Sequence, residues 1–72
     1  MKDSRIKFIA SNIKAERSRK NLTQEQLAEK SKLSRNSISM YERGVQLPSV
    51  LVAYDIAKAL EIDIHDLLKN LD

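Results

Sequence analysis

A chain of 72 residues accommodates a single domain, spanning residues 1–72, with a small hydrophobic core. It contains no cysteine, which excludes a disulfide framework and a thiolate metal site, and no apolar run approaches the roughly 20 residues that a membrane span requires. We therefore expect a cytoplasmic protein with no membrane partner. The net charge of +3 is unevenly spread: residues 1–20 carry seven Lys and Arg against two acidic residues, whereas residues 49–72 carry two against five. This asymmetry favours a polyanionic partner on one side of the molecule.

The N-terminal part of the chain has the pattern of an amphipathic helix over roughly residues 4–19. Ser4 is a residue type that caps helices, and the apolar positions after it recur at helical spacing: Ile6, Ile9, Ala10 and Ile13. The opposite face is basic. Lys20 and Asn21 form a short connector, in which Asn21 is suited to a left-handed conformation.

Two short helices with a tight turn between them are predicted next. Thr23, with Gln26 three positions later, has the pattern of a capping box and predicts a helix over residues 24–31. Ser34 caps a further helix over residues 35–43, whose apolar positions are Ile38 and Tyr41. Since so short a connection cannot bring two helices into antiparallel stacking, we expect them to cross at a steep angle.

Two more helices complete the predicted architecture. Gly44 ends the third helix, and Pro48 with Ser49 begins a fourth over residues 49–60, with one apolar face of Val50, Ala53, Tyr54, Ala57 and Leu60. Asp63 caps a fifth over residues 64–70, with apolar positions Ile64, Leu67, Leu68 and Leu71. No stretch alternates with the period of a strand, so the prediction is an all-α, compact five-helix bundle.

Nothing in the sequence indicates an enzyme. Catalysis requires a nucleophile beside a base, or paired carboxylates in a cleft, and neither pattern is present. His65 is the single histidine, and without cysteines or a carboxylate cluster it does not make a metal site. We expect no catalytic residue, no metal, no cofactor and no small-molecule ligand.

An ordered set of short motifs resembles the phage-repressor and Cro-type (XRE family) helix-turn-helix DNA-binding domains. The motifs are Ile13-Lys14 with Arg17, residues 22–28 (LTQEQLA), Leu33-Ser34-Arg35, residues 38–44 (ISMYERG), Pro48-Ser49, residues 56–60 (IAKAL) and Leu67-Leu68. The resemblance implies a lambda-repressor-like fold in which helices 2 and 3 form the helix-turn-helix. The chain departs from the family at Lys32 and Glu61, where the family commonly has glycine.

Helix 3 carries the side chains suited to reading bases. The major groove admits one α-helix, in which arginine pairs in bidentate fashion with guanine and asparagine with adenine. Arg35 and Asn36 supply these two groups, and the resemblance places Met40 and, more weakly, Ser39 at base-contacting positions too.

The resemblance also implies backbone contacts and a structural ion pair. Gln24, at the start of helix 2, together with Ser34 and Arg43, corresponds to positions that contact DNA phosphates, and a helix N-terminus favours an anion there. Arg17 and Glu42 occupy positions where the family often has an ion pair between helix 1 and the end of helix 3. The loop at residues 45–47 lacks the cations that often add phosphate contacts.

Apolar residues in excess of a small core suggest a protein partner. Val45, Leu47, Leu51 and Val52 are apolar where the resemblance leads us to expect polar residues, and four more lie near the C-terminus: Ile62, Ile64, Leu68 and Leu71. Either these residues complete the core or they cover a homodimer interface. We predict that Ile62, Ile64, Leu68 and Leu71 form that interface.

We therefore expect a sequence-specific regulator of transcription that binds double-stranded DNA, with a homodimer on a palindromic operator. Phage repressors, controllers of restriction-modification genes and self-repressing antitoxins all share this pattern. The alternative is a protein-interaction module of the same fold, with DNA contact minor or absent.

Overall fold

The computed structural model describes residues 3–71 of the chain. Over these residues the backbone forms four α-helices and one 3₁₀ helix: α1 (Arg5–Arg19), α2 (Gln24–Ser31), α3 (Arg35–Arg43), α4 (Val50–Leu60) and the 3₁₀ helix Ile64–Leu67. The described part of the chain contains no strand. It measures 32 × 22 × 21 Å along its principal axes.

The prediction of a fifth α-helix over residues 64–70 is wrong. Asp63 does accept a hydrogen bond from the backbone N–H of His65 at 2.9 Å, but the turn that follows is a 3₁₀ helix of four residues. Asn70, at φ 69°, is in the left-handed conformation, so the backbone cannot continue as an α-helix. The architecture is thus an all-helical bundle of four α-helices with a terminal 3₁₀ turn.

The helix starts show one departure from the predicted caps. Ser4 makes no side-chain cap, and the carboxylate of Asp3 accepts the N–H of Arg5 at 2.9 Å in its place. The capping box at α2 is present: the Thr23 hydroxyl accepts the Gln26 N–H at 3.0 Å, while the Gln26 side chain accepts the Thr23 N–H at 2.8 Å. Ser34 accepts the N–H of Ser37 at 3.0 Å in the same manner at α3.

Left-handed residues end three of the helices. Lys32 closes α2 at φ 60° and Glu61 closes α4 at φ 59°, the two positions where the resemblance leads us to expect glycine. Gly44 closes α3 at φ 72°, and Asn21 lies at φ 58° between α1 and α2. A Cβ makes this conformation cost about 1 kcal/mol or more, so Lys32 and Glu61 both hold local strain.

The core lies where the four helices meet, and it explains why α2 and α3 have a fixed position. Its largest fully buried side chains are Ile13, Leu27, Ile38, Ile56, Leu60 and Leu67. The predicted inward face of α4 is wrong at two positions, because Val50 is 79% exposed and Tyr54 is 54% exposed. The packed stripe of α4 runs through Val52, Ile56, Ala57 and Leu60, which leaves Val50 and Leu51 of its first turn exposed.

Candidate nucleic-acid interface

The N-terminal half of α3 presents polar side chains to solvent. Arg35 and Asn36 are exposed, whereas Ile38 is fully buried and Tyr41 nearly so. The helix is therefore anchored by one face and open on the other. This is the arrangement that a helix needs in order to lie in the major groove.

Two of the predicted base-contacting residues touch each other in the structure. The Asn36 side-chain amide lies 3.7 Å from the Met40 sulfur, one turn along α3. Met40 and Ser39 are both half-buried, so their tips rather than their whole side chains reach the surface. A thioether sulfur is a weak acceptor, so breaking this contact costs little free energy. The Asn36 amide can therefore bind a stronger acceptor instead.

Arg17 and Glu42 form the centre of a hydrogen-bonded network that joins α1, α2 and α3. The guanidinium donates to both carboxylate oxygens, from Nε to Oε2 at 2.7 Å and from Nη2 to Oε1 at 3.1 Å. Arg17 Nη1 also donates to the carbonyl of Leu22 at 2.6 Å, and Gln24 Nε2 donates to Glu42 Oε1 at 3.1 Å. The Glu42 side chain is only 3% exposed. The end of α3 is thereby connected to the turn before α2 and to Gln24, the first residue of α2.

The predicted phosphate-contacting residues differ in how far they are engaged within the protein. Gln24 uses one N–H of its amide on Glu42 and has a second N–H available. The Ser34 hydroxyl accepts the Ser37 N–H and lies 3.0 Å from the Ser37 hydroxyl, so its capacity is largely used in the cap of α3. Arg43 is exposed in the last turn of α3.

The four predicted dimer residues do not form one surface. Ile62 and Ile64 line a shallow groove of about 310 Å³ with Tyr54 and Ala57 of α4. Leu71 lines another groove, of about 330 Å³, with apolar residues of α1 and the loop before α4: Ile6, Ile9 and Leu47. Leu68 lines neither groove and is 41% exposed.

The exposed apolar surface is larger at the start of α4 than the sequence suggested. Val50 and Leu51 are 79% and 76% exposed, and Tyr54 beside them is 54% exposed. Helical periodicity could not have identified Val50 and Tyr54, since they continue the apolar stripe of α4. Of the four unexpected apolar residues, Val45, Leu47 and Leu51 are exposed, whereas Val52 packs against the core.

Two polar residues of α1 make contacts within the protein that the amphipathic pattern does not indicate. Asn12 donates from Nδ2 to the carbonyls of Leu67 and Lys69, and Glu16 is a charged residue that is only 4% exposed. Both were missed because a polar residue on an amphipathic helix is ordinarily assigned to the solvent face.

His65 takes part in a local contact. Its Nδ1 lies 2.7 Å from Asp63 Oδ1, and the hydrogen bond from the His65 backbone N–H, followed by that from its side chain, lowers the pKa of the Asp63 carboxyl. Between residues 3 and 71 no three His, Cys, Asp or Glu side chains are grouped so that they could hold a metal ion. Within the same residues no helix is both long and apolar enough to cross a membrane.

Comparison with known proteins identifies relatives over nearly the whole chain. The family model described as Helix-turn-helix matches residues 13–67. An HTH-type transcriptional regulator from Sinorhizobium fredii, y4dJ, is 35% identical over 66 residues, which cover 92% of this chain and 86% of the relative.

Solved structures of two regulators have the same fold. The restriction-modification controller protein C.AhdI from Aeromonas hydrophila superposes with a TM-score of 0.87 at 29% identity, covering 90% of this chain and 98% of the other. The clp gene regulator ClgR from Corynebacterium glutamicum superposes with a TM-score of 0.86 at 25% identity, covering 93% and 87%.

Proposed function

The chain belongs to the helix-turn-helix family of DNA-binding transcriptional regulators, and from that premise we propose that it binds a palindromic operator as a homodimer with α3 in the major groove. The observation that carries the proposal is the open face of α3. Arg35 and Asn36 stand exposed at its N-terminal end, and the buried Ile38 and Tyr41 hold the helix from behind.

Arg35 and Asn36 are assigned direct contacts with bases. The guanidinium of Arg35 has the geometry to donate two hydrogen bonds to a guanine, and the Asn36 amide can both donate to and accept from an adenine. On the DNA, Asn36 would exchange its contact with the Met40 sulfur for the stronger base contact. Met40 would then be released to place its methyl group against a thymine, with Ser39 as a further contact.

Gln24, Arg43 and Ser34 are assigned to the phosphate backbone. Gln24, whose amide keeps a second N–H, is the first residue of α2, where the backbone N–H groups and the helix dipole also favour an anion. Arg43 adds a cation at the other end of α3, and Ser34 contributes through the first turn of that helix. Because these contacts release counterions, affinity should fall steeply as salt rises.

The groove of Tyr54, Ile62 and Ile64 is the surface that we assign to a second copy of the chain. Its lining is mostly apolar, with Lys58 and Asp63 as its charged residues. The exposed Val50 and Leu51 at the start of α4 add apolar surface toward the roughly 800 Å² per partner of a stable interface. Leu71 lies in the other groove and Leu68 lines neither, so both are left out of this assignment. Two protomers, each 32 × 22 × 21 Å, can be placed side by side with equivalent points about 34 Å apart, one turn of DNA.

Selection from random DNA duplexes, followed by salt titration of the selected sequence, tests this function. We expect a palindromic site with half-sites one helical turn apart. Arg35→Ala should lose about 1–3 kcal/mol of discrimination at one or two base positions. The matched control is Lys14→Ala, which removes an exposed cation of α1 and should leave base preference unchanged.

Two outcomes would contradict the proposal. If Arg35→Ala keeps the full base preference, the assignment of Arg35 to base reading is wrong. If no sequence is enriched at all, the protein-interaction alternative takes precedence.

A further inference from the structure

The chain after α4 makes too few hydrogen bonds within itself to be stable on its own. We call residues 63–71 the terminal segment; its 3₁₀ helix has four residues, and its backbone bonds beyond the helix itself are Asp66 N–H to Asp63 O at 2.9 Å and Leu68 N–H to His65 O at 3.0 Å. Leu67 is its only fully buried side chain among the described residues. A helix of one turn is far below the length at which helices are stable alone. Something outside the terminal segment must therefore fix it.

Asn12, on α1, supplies the missing backbone partners. Its Nδ2 donates one hydrogen bond to Leu67 O at 3.0 Å and another to Lys69 O at 2.9 Å, so both hydrogens of the amide are used. In a continuing α-helix these carbonyls would accept hydrogen bonds from the backbone N–H groups of the next turn. Here the side-chain amide of Asn12 donates to them instead.

Glu16 lies one helical turn after Asn12 and holds the same segment through charge. Its side chain is 6% exposed, and a carboxylate so buried needs a cationic partner. Lys69 Nζ approaches Oε2 at 3.4 Å from the terminal segment, and Arg19 Nη1 approaches it at 3.1 Å from α1 itself. Lys69 is thus the partner that crosses from one element to the other.

The terminal segment packs against both α1 and α4, and on the α4 side it carries Ile64 into the groove with Tyr54. Ile64 also packs against the core directly, so its position relative to α4 depends both on that packing and on the contacts made on the α1 side. We propose that Asn12, Glu16 and Lys69 form a latch that fixes the terminal segment and so positions the dimer surface, setting the distance between the two recognition helices. This rests on the proposed dimeric function and adds positioning residues that touch neither DNA nor the second copy.

The test compares variants of the full chain on the selected operator and on duplexes with one base pair added or removed between half-sites. Asn12→Ala and Lys69→Met should each weaken dimerisation about tenfold by sedimentation, as expected for the loss of one or two hydrogen bonds or a charged contact. Both should also flatten the preference for one half-site spacing. Lys69→Arg should restore both properties, because it keeps a cation beside Glu16.

Two controls separate positioning from simple loss of structure. Lys14→Met removes the same charge from an exposed position of α1 and should leave dimerisation and spacing preference unchanged. Binding of each variant to a duplex with one half-site should equal that of the wild type, since the latch does not touch α3.

The outcomes are distinct. A wild-type protein that is monomeric on and off DNA overturns both the proposed function and the latch. A dimeric wild type whose dimerisation and spacing preference survive in Asn12→Ala and Lys69→Met overturns the latch alone. Equal losses on half-site and full-site DNA also overturn it, because they would mean that the whole bundle is loosened.

Discussion

Removing the carboxylate of Glu42 should test the support of the recognition helix most directly. We choose Glu42→Leu, since leucine keeps most of the volume and the loss is then one of acceptors rather than of packing. The substitution leaves Arg17 Nε, Arg17 Nη2 and Gln24 Nε2 without the oxygens that they now contact at 2.7, 3.1 and 3.1 Å. The Arg17 guanidinium keeps only its bond to the Leu22 carbonyl.

The burial of the pair sets the size of the effect. Breaking a buried ion pair costs about 3–5 kcal/mol, because the remaining charge has lost its partner. Since the Arg17 side chain is 15% exposed and can partly reach water, we expect the lower end, about 3 kcal/mol. A domain of 72 residues has a total stability of about 4–11 kcal/mol, and a loss of this size should lower the melting temperature by about 12–24 °C.

Urea denaturation of Glu42→Leu, Arg17→Met and the double variant provides the measurement. The double variant buries apolar groups in place of two charges and should return to within about 1 kcal/mol of the wild type. In both Glu42→Leu and the double variant the operator affinity should be lower than in the wild type, because Gln24 has lost the carboxylate that holds it. A Glu42→Leu variant within 1 kcal/mol of the wild type, or a double variant as unstable as the single one, would refute this reasoning.

Three further outcomes are expected. Lys32→Gly should stabilise the protein by about 1 kcal/mol in urea denaturation, because glycine relieves the left-handed strain at φ 60°, and a loss of stability would contradict that account. Hydrogen bonds from the Arg5 side chain and backbone lower the pKa of Asp3 to about 2. The stability from this pair should therefore be complete above about pH 4 and be lost as pH falls toward 2. NMR titration of Asp3 in Arg5→Ala should show the pKa rising part of the way toward about 3.9, since alanine keeps the backbone N–H, and an unchanged pKa would exclude the side-chain cause. Tyr54→Glu should make the protein monomeric in sedimentation, whereas Phe8→Glu, at another exposed aromatic residue, should not; equal behaviour of the two would move the dimer contact elsewhere.

Local chemistry made several elements predictable from the sequence. The capping box of Thr23 and Gln26 needs only residues three apart. The left-handed conformations of Lys32 and Glu61 were indicated by the family resemblance, since glycine is common at these two positions in the family. The polar start of α3 could also be predicted from the sequence, because Arg35 and Asn36 lie outside the apolar face that Ile38 and Tyr41 form.

The terminal segment and the first turn of α4 depended on the tertiary structure. An apolar pattern with a good cap predicted a fifth α-helix, but the pattern does not reveal that the 3₁₀ helix ends at Leu67, where Asn12 of α1 donates hydrogen bonds to the carbonyls of Leu67 and Lys69. Likewise Val50 and Tyr54 have the spacing of core residues, and only the packing of Val52, Ile56 and Leu60 decides that this face of the helix stays exposed.

The sequence by itself therefore determined that this chain is an all-helical, basic-fronted member of the helix-turn-helix family, since caps, periodicity and motif order act over short distances along the chain. Tertiary structure alone decided which apolar residues remain exposed and which polar ones are buried. Glu16 is polar by type and buried by position, because Arg19 on the same helix and Lys69, 53 residues later in the chain, both place a cation beside its carboxylate.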